Sequence, residues 1–110
     1  MIPELVLWYL LTYVGFTAPE AHTMVCVAKY ESALKPKAVN LHNENGTIDV
    51  GLLQVNSIWF NRIPYCSLDK LQNPIYNILC AKYIYDIQGL SAWVAYKKHK
   101  QTCDNYKVKF

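Results

Sequence analysis

Asn45-Gly46-Thr47-Ile48-Asp49-Val50-Gly51-Leu52-Leu53-Gln54-Val55-Asn56-Ser57 decides how this chain is read. It opens inside Asn43-Glu44-Asn45-Gly46, a turn signal in which asparagine and glycine tolerate the backbone angles of a tight reversal. Apolar and β-branched residues follow, so strands are expected at about residues 47–50 and 52–56, forming a β-hairpin. Asp49 falls in the first strand among Asn43, Gln54 and Asn56, whose amides can hold a carboxylate ionised.

Upstream, Cys26-Val27-Ala28-Lys29-Tyr30-Glu31-Ser32 reads as a helix. Met24, Val27, Ala28 and Leu34 give it an apolar stripe at helical spacing. Residues 19–23 read as a connector opened by Pro19, Thr23 as the cap of a helix over about 24–34, and Pro36 as its end. Glu31 is flanked by apolar positions, so burial should raise its pKa and keep it protonated near neutral pH. Eight carboxylates occur in the chain, and a pair eighteen positions apart is unremarkable by spacing. Context singles out Glu31 and Asp49. A shielded acid on a helix facing an ionised acid on a strand is the arrangement that cuts a glycosidic bond.

Downstream, residues 57–72 read as irregular. Asn73-Pro74 predicts the cap and first turn of a helix to about residue 88, buried through Ile75, Ile78, Leu79 and Ile84 and ended by Gly89. Ser91 is expected to cap a last helix carrying Trp93-Val94-Ala95-Tyr96. No repeat, low-complexity stretch or linker interrupts the chain.

With 110 residues, the chain suits one small domain, and 53% hydrophobic residues with fourteen per cent aromatics place it among core-forming proteins. Its net charge of +3 and pI near 8.6 suit an anionic partner such as a bacterial cell wall without specifying one. Nucleic-acid binding would need basic residues along one face, whereas only Lys97, Lys98 and Lys100 cluster, as a solvated helix end would. The four cysteines, Cys26, Cys66, Cys80 and Cys103, favour two disulfides and an oxidising compartment. No Cys-x-x-Cys pair occurs, and His22, His42 and His99 are scattered, so no metal and no cofactor is expected. The apolar run from Leu5 to Phe16 is too short to span a bilayer. Residues 1–18 have two open readings, a degraded signal peptide or an apolar helix docked on the core, with the domain proper at 19–110.

Three ordered motifs carry a resemblance over about residues 24–96 to the c-type lysozyme and α-lactalbumin family. They are Cys-x-Ala-Lys-Tyr-Glu-Ser at 26–32, Asn-Gly-Thr-x-Asp-x-Gly-x-x-Gln-x-Asn-Ser at 45–57, and Cys80-Ala81-Lys82 with Gly89 and Ser91-Ala92-Trp93-Val94. The eighteen-residue spacing of Glu31 and Asp49 is similar to that of the invertebrate branch. The resemblance implies an α+β lysozyme-like fold, a helical domain plus a small antiparallel β-hairpin lobe with a cleft between them. It implies a secreted, monomeric glycoside hydrolase, antibacterial or digestive, acting on peptidoglycan or a chitin-like polysaccharide. Glu31 matches the general acid and Asp49 the nucleophile or cation stabiliser. Asn43, Gln54, Asn56, Trp59, Ala92, Trp93 and Val94 match substrate-contacting positions, and Asp86 matches a carboxylate at the far end of the cleft more loosely. Retaining chemistry then needs the two carboxyls about 5–5.5 Å apart. Lysozyme is itself the type case of two carboxylates in unequal environments, so this agreement is not independent of the resemblance. A non-catalytic saccharide-binding relative is the competing reading.

The chain also departs from the family. It has four cysteines where the family usually has eight. The bridge joining the ends has no residues here, the family's first helix is not recognisable before residue 24, and the segment after Trp59 is short. The resemblance implies Cys26–Cys103; Cys66 and Cys80 are expected to pair on proximity alone. The calcium loop of α-lactalbumin corresponds to Cys66–Pro74, which offers one carboxylate, Asp69, where calcium wants six to eight oxygens. Asn45-Gly46-Thr47 is also a glycosylation sequon on the expected turn, either occupied or bare.

Overall fold

Thr17 starts the central helix, one turn and a half before the expected Thr23. In this computed structural model, which describes residues 1–110, helix α2 runs Ala18–Ser32. Thr17 Oγ1 accepts from the Glu20 N–H at 3.3 Å, and the Thr17 N–H donates to Glu20 Oε1 at 2.7 Å. This reciprocal capping box, with Pro19 in the first turn, satisfies donors that would otherwise be orphaned. The expected connector 19–23 is therefore helical. The helix also ends before Pro36, because Ala33 and Leu34 take left-handed backbone angles at φ 53° and 62°. Such angles cost non-glycine residues about 1–2 kcal/mol each. Burial of the Leu34 side chain, worth about 1.5–3 kcal/mol, offsets that cost.

The apolar run folds as helix α1, Glu4–Tyr13, packed on α2 through the fully buried Leu7 and Leu11. In this structure the segment takes the form of the second of its two open readings, a helix docked on the core, and a boundary after residue 18 would cut the first turn of α2. The ends of the chain meet here without a cystine. The Ile2 N–H donates to Leu34 O at 2.9 Å, and Lys29 Nζ lies 3.1 Å from Glu4 Oε2. Lys29 also donates to Tyr106 Oη at 2.8 Å, Tyr106 bonds Glu4, and the Val108 N–H donates to His22 Nδ1 at 3.0 Å.

The lobe is a three-stranded antiparallel sheet, β1 Val39–Asn40, β2 Asp49–Val50 and β3 Val55–Asn56, in that order. Asp49 pairs with Asn40 on one side and Asn56 on the other. The expected hairpin is shorter than its sequence pattern, and β1 is a strand the pattern did not reveal. Residues 51–54, expected partly as strand, form the tight connection between β2 and β3. Gly51, Leu52 and Leu53 are buried there against the helices.

Beyond the lobe lie single 3₁₀ turns at Ser57–Trp59 and Lys70–Gln72, then helix α3, Pro74–Gln88, capped by Asn73 and ended by Gly89 at φ 68° as expected. Gly89–Ala92 is a 3₁₀ turn, followed by α4, Val94–Lys98, and α5, Lys100–Asp104. Ser91 does not cap α4; its hydroxyl donates to Gln88 O at 3.0 Å. Cys26–Cys103 ties α2 to α5, and Cys66–Cys80 ties the irregular segment to α3, with Cα separations of 5.3 and 5.9 Å.

Asn77 on α3 joins lobe to helices. Fully buried, it donates through Nδ2 to Val50 O and Leu71 O, both at 2.9 Å, and accepts from the Leu53 N–H at 3.0 Å. Asn77→Leu keeps the branching at Cγ but strands three buried backbone groups, each worth about 1–3 kcal/mol. Urea denaturation is expected to show a loss of at least about 3 kcal/mol for Asn77→Leu. Ser32 Oγ donates to Leu52 O at 2.7 Å, and Ser32→Ala, which strands that carbonyl, is expected to lose about 1–2 kcal/mol in the same measurement.

Candidate active site: a groove between helices and sheet

An open groove of 760 Å³ separates the sheet lobe from the helices. The lobe supplies Asn40, Asn43, Glu44, Asn45, Thr47, Asp49, Gln54, Val55, Asn56, Ile58 and Trp59. The helical wall supplies Glu31, Ile84, Gln88, Ala92, Trp93 and Val94. Glu31 and Asp49 thus face one space, from the last turn of α2 and from β2.

Glu31 is half-buried. Helix α4 begins without a side-chain cap from Trp93, so its first-turn N–H groups need a partner from elsewhere. The Ala95 N–H donates to Glu31 Oε2 at 3.3 Å, and Oε1 has no protein partner. Desolvation is the largest influence on this carboxyl and raises its pKa. The Ala95 N–H opposes the rise, the Asp49 charge adds to it, and Lys98 opposes it more weakly. Burial wins because one neutral donor does not replace the water that the groove wall excludes.

Asp49 is held differently. Asn43 Nδ2 donates to Oδ2 at 3.0 Å and Asn56 Nδ2 to Oδ1 at 2.9 Å, one amide per oxygen. Both amides also donate to Thr47 Oγ1, at 3.2 and 3.0 Å, and Thr47 donates onward to Asn45 Oδ1 at 2.6 Å. Asn40 Nδ2 donates to Asn43 Oδ1 at 3.0 Å and orients that amide. Gln54, expected beside the aspartate, lines the groove but turns its NH₂ away. Nε2 donates to Ala38 O and Gly51 O at 3.1 and 3.0 Å, closing the turn in which Gln54 itself sits at φ 48°.

Trp93 is buried, and its Nε1 donates to Leu53 O at 2.8 Å, so one side chain forms groove wall and lobe junction together. Trp59, Ala92 and Val94 line the groove. Asp86 does not. It is exposed and pairs with Lys82 at 2.5 Å, one turn along α3, while Gln88 reaches the groove. Thr47, Asn40, Glu44 and Gln88 were not singled out from sequence. Thr47 could have been found from its place among four asparagines. Asn40 depends on β1, and a two-residue strand leaves no periodic signal.

Residues 10–108 match the sequence pattern of the C-type lysozyme/alpha-lactalbumin family. Lysozyme C of Takifugu rubripes is 38% identical over 101 residues, which cover 82% of this chain and 70% of that protein. The milk isozyme of Lysozyme C from Canis lupus familiaris is 36% identical over 96 residues, covering 77% and 74%. For Lysozyme C of Bos taurus the figures are 31% over 96 residues, 77% and 65%, so the chain spans about two thirds of the length of the curated relatives it matches. Among solved structures, a calcium binding lysozyme from equine milk superposes with a TM-score of 0.76 at 32% identity, covering 92% of this chain and 89% of that one. Wild-type canine milk lysozyme superposes at 0.77 with 31% identity and the same coverage. The equine protein is described as calcium binding. Asp69 is the lone carboxylate of Cys66–Pro74, and nowhere do three His, Cys, Asp or Glu side chains converge. Sequence and superposition agree on the fold, a lysozyme-like α+β domain, and the chain belongs to the C-type lysozyme/alpha-lactalbumin family.

Proposed function

We propose that the protein is a secreted, monomeric lysozyme that hydrolyses β-1,4 links between N-acetylmuramic acid and N-acetylglucosamine in peptidoglycan, by a retaining mechanism. The observation that carries this reading is the pair of unequal carboxyls in one groove: Glu31 desolvated with its pKa raised, Asp49 held by two amides. Because the Ala95 N–H needs an acceptor, the proton of neutral Glu31 belongs on Oε1, the oxygen without a protein partner. From there it passes to the bridging oxygen as the glycosidic bond breaks. Asp49 attacks or stabilises the anomeric carbon on the other side. Glu31, now ionised, takes a proton from water, which releases the product and restores the acid. Asn43 and Asn56 fix the aspartate, Trp59 offers a stacking face, and Ala92, Trp93 and Val94 form the wall for the N-acetyl group. Gln54 contributes by shaping the turn. A peptidoglycan clearing assay tests the reading. Glu31→Gln is expected to lose about 10²–10⁴-fold in rate while saccharide binding persists. A wild-type protein that binds saccharide without turnover would instead assign the groove to recognition.

The raised pKa of Glu31 has a signature in stability as well as in rate. A carboxyl whose folded pKa lies above its unfolded value favours folding while protonated, and that contribution is lost as pH rises through the folded value. Clearing activity is therefore expected to fall as pH rises through the same window. The thermal midpoint of Glu31→Gln is expected to gain on the wild type as pH rises from about 4 to 8. A pH-independent difference in midpoint would contradict the desolvated state of Glu31.

A further inference from the structure

Asn45-Gly46-Thr47 is the one Asn-x-Ser/Thr tripeptide in the chain, and it lies in the turn joining β1 to β2. Asn45 and Gly46 are exposed, with Gly46 at φ 79° and its N–H donated to Asn43 O at 3.0 Å. Four asparagines line the groove, and Asn45 alone keeps its NH₂ out of protein hydrogen bonds. The NH₂ groups of Asn40, Asn43 and Asn56 are all donated within the network around Asp49. Asn45 serves that network only through its carbonyl oxygen, which accepts from the Thr47 N–H at 3.1 Å and the Thr47 hydroxyl at 2.6 Å. A substituent on Nδ2 removes no hydrogen bond from the site.

We propose that Asn45 Nδ2 is an N-glycosylation site whose glycan stands over the rim of the groove and restricts long polymers more than short saccharides. The donor class is an oligosaccharide joined to a lipid through pyrophosphate. Nδ2 forms a bond to the anomeric carbon of the donor's first sugar, the bond from that carbon to the pyrophosphate oxygen breaks, and the lipid pyrophosphate leaves with the electron pair. The amide gives one proton to a base of the transferase, and nothing is oxidised or reduced. Both cystines form in an oxidising compartment, and the endoplasmic reticulum lumen, where this donor is used, is one. In the folded lobe the Thr47 hydroxyl is taken up by Asn43, Asn45 and Asn56. The transferase therefore meets the tripeptide before the lobe closes, and the finished fold leaves the glycan projecting from the rim.

Translation of the full chain behind a cleavable secretory leader, in the presence of microsomes, tests the modification whether or not the groove is catalytic. A heavier species is expected, removed by peptide N-glycanase with Asn45 converted to aspartate, and lost in Asn45→Gln. An unmodified chain inside sealed microsomes overturns the proposal. The gating half rests on the reading of the groove as a polysaccharide site. It is tested by trimming the glycan to a single sugar with an endoglycosidase, which leaves the Asn45 amide chemistry unchanged. Trimming is expected to raise clearing of insoluble cell walls several-fold and to leave cleavage of a short soluble chitin oligosaccharide unchanged. If no form turns over, binding to insoluble chitin against the same oligosaccharide supplies the comparison. Equal effects on polymer and oligosaccharide overturn the gating.

Discussion

The reversal between β2 and β3 is buried, and three side chains from three helical elements satisfy its backbone. Ser32 of α2 donates to Leu52 O at 2.7 Å, Trp93 at the start of α4 donates to Leu53 O, and Asn77 of α3 holds Val50 O and the Leu53 N–H. Water cannot substitute there, since Gly51, Leu52 and Leu53 are buried. Each unpaired group would cost about 1–3 kcal/mol, several-fold more than a surface ion pair such as Lys82–Asp86. Gly51 is required by the same closeness. At φ 81° any Cβ would collide with Asn77 Nδ2 and Leu71 O. These bonds fix the lobe against the helices, and the groove is the space left between them.

The chemistry of the groove follows from that attachment. Ser32, which anchors the turn, directly follows Glu31, and Trp93, which anchors it from the other side, lies two residues before Ala95, whose N–H donates to Glu31. Asp49 lies on β2, one residue before Val50, whose carbonyl Asn77 holds. The elements that join the lobes therefore also set where the two carboxyls sit. One is desolvated against the helical wall and the other is wrapped in lobe amides. The two carboxyls of one groove therefore stand in unequal surroundings, one short of solvent and one supplied with hydrogen-bond donors.

Two cystines serve where the family has more. The loop closed by Cys26–Cys103 spans 77 residues, for which chain entropy alone gives about 4–5 kcal/mol; the 14-residue loop of Cys66–Cys80 gives about 3. The join between the chain ends is noncovalent. Its partly exposed Glu4–Lys29 pair contributes at most about 1 kcal/mol. Burial of Leu7 and Leu11, at about 1.5–3 kcal/mol each, decides the docking of α1.

Sequence alone placed Glu31 on a helix and Asp49 on a strand, and set the helix from Asn73 to Gly89 with its caps, the turn at residues 43–46 and the α+β class. All of these rest on local rules, capping, glycine at reversals and periodic apolar positions, that act within a few residues of where they are written. The start of α2 is also written locally, in the capping box of Thr17 and Glu20. Tertiary structure decided the rest. It made a strand of Val39–Asn40 by pairing it with β2, and turned Gln54 inward to carbonyls brought close by the fold. It left Asp86 on an exposed face beside Lys82, and used Glu31 to cap a helix sixty residues away in the chain. Each of these depends on a partner distant in sequence, and no pattern inside a short window can supply that partner.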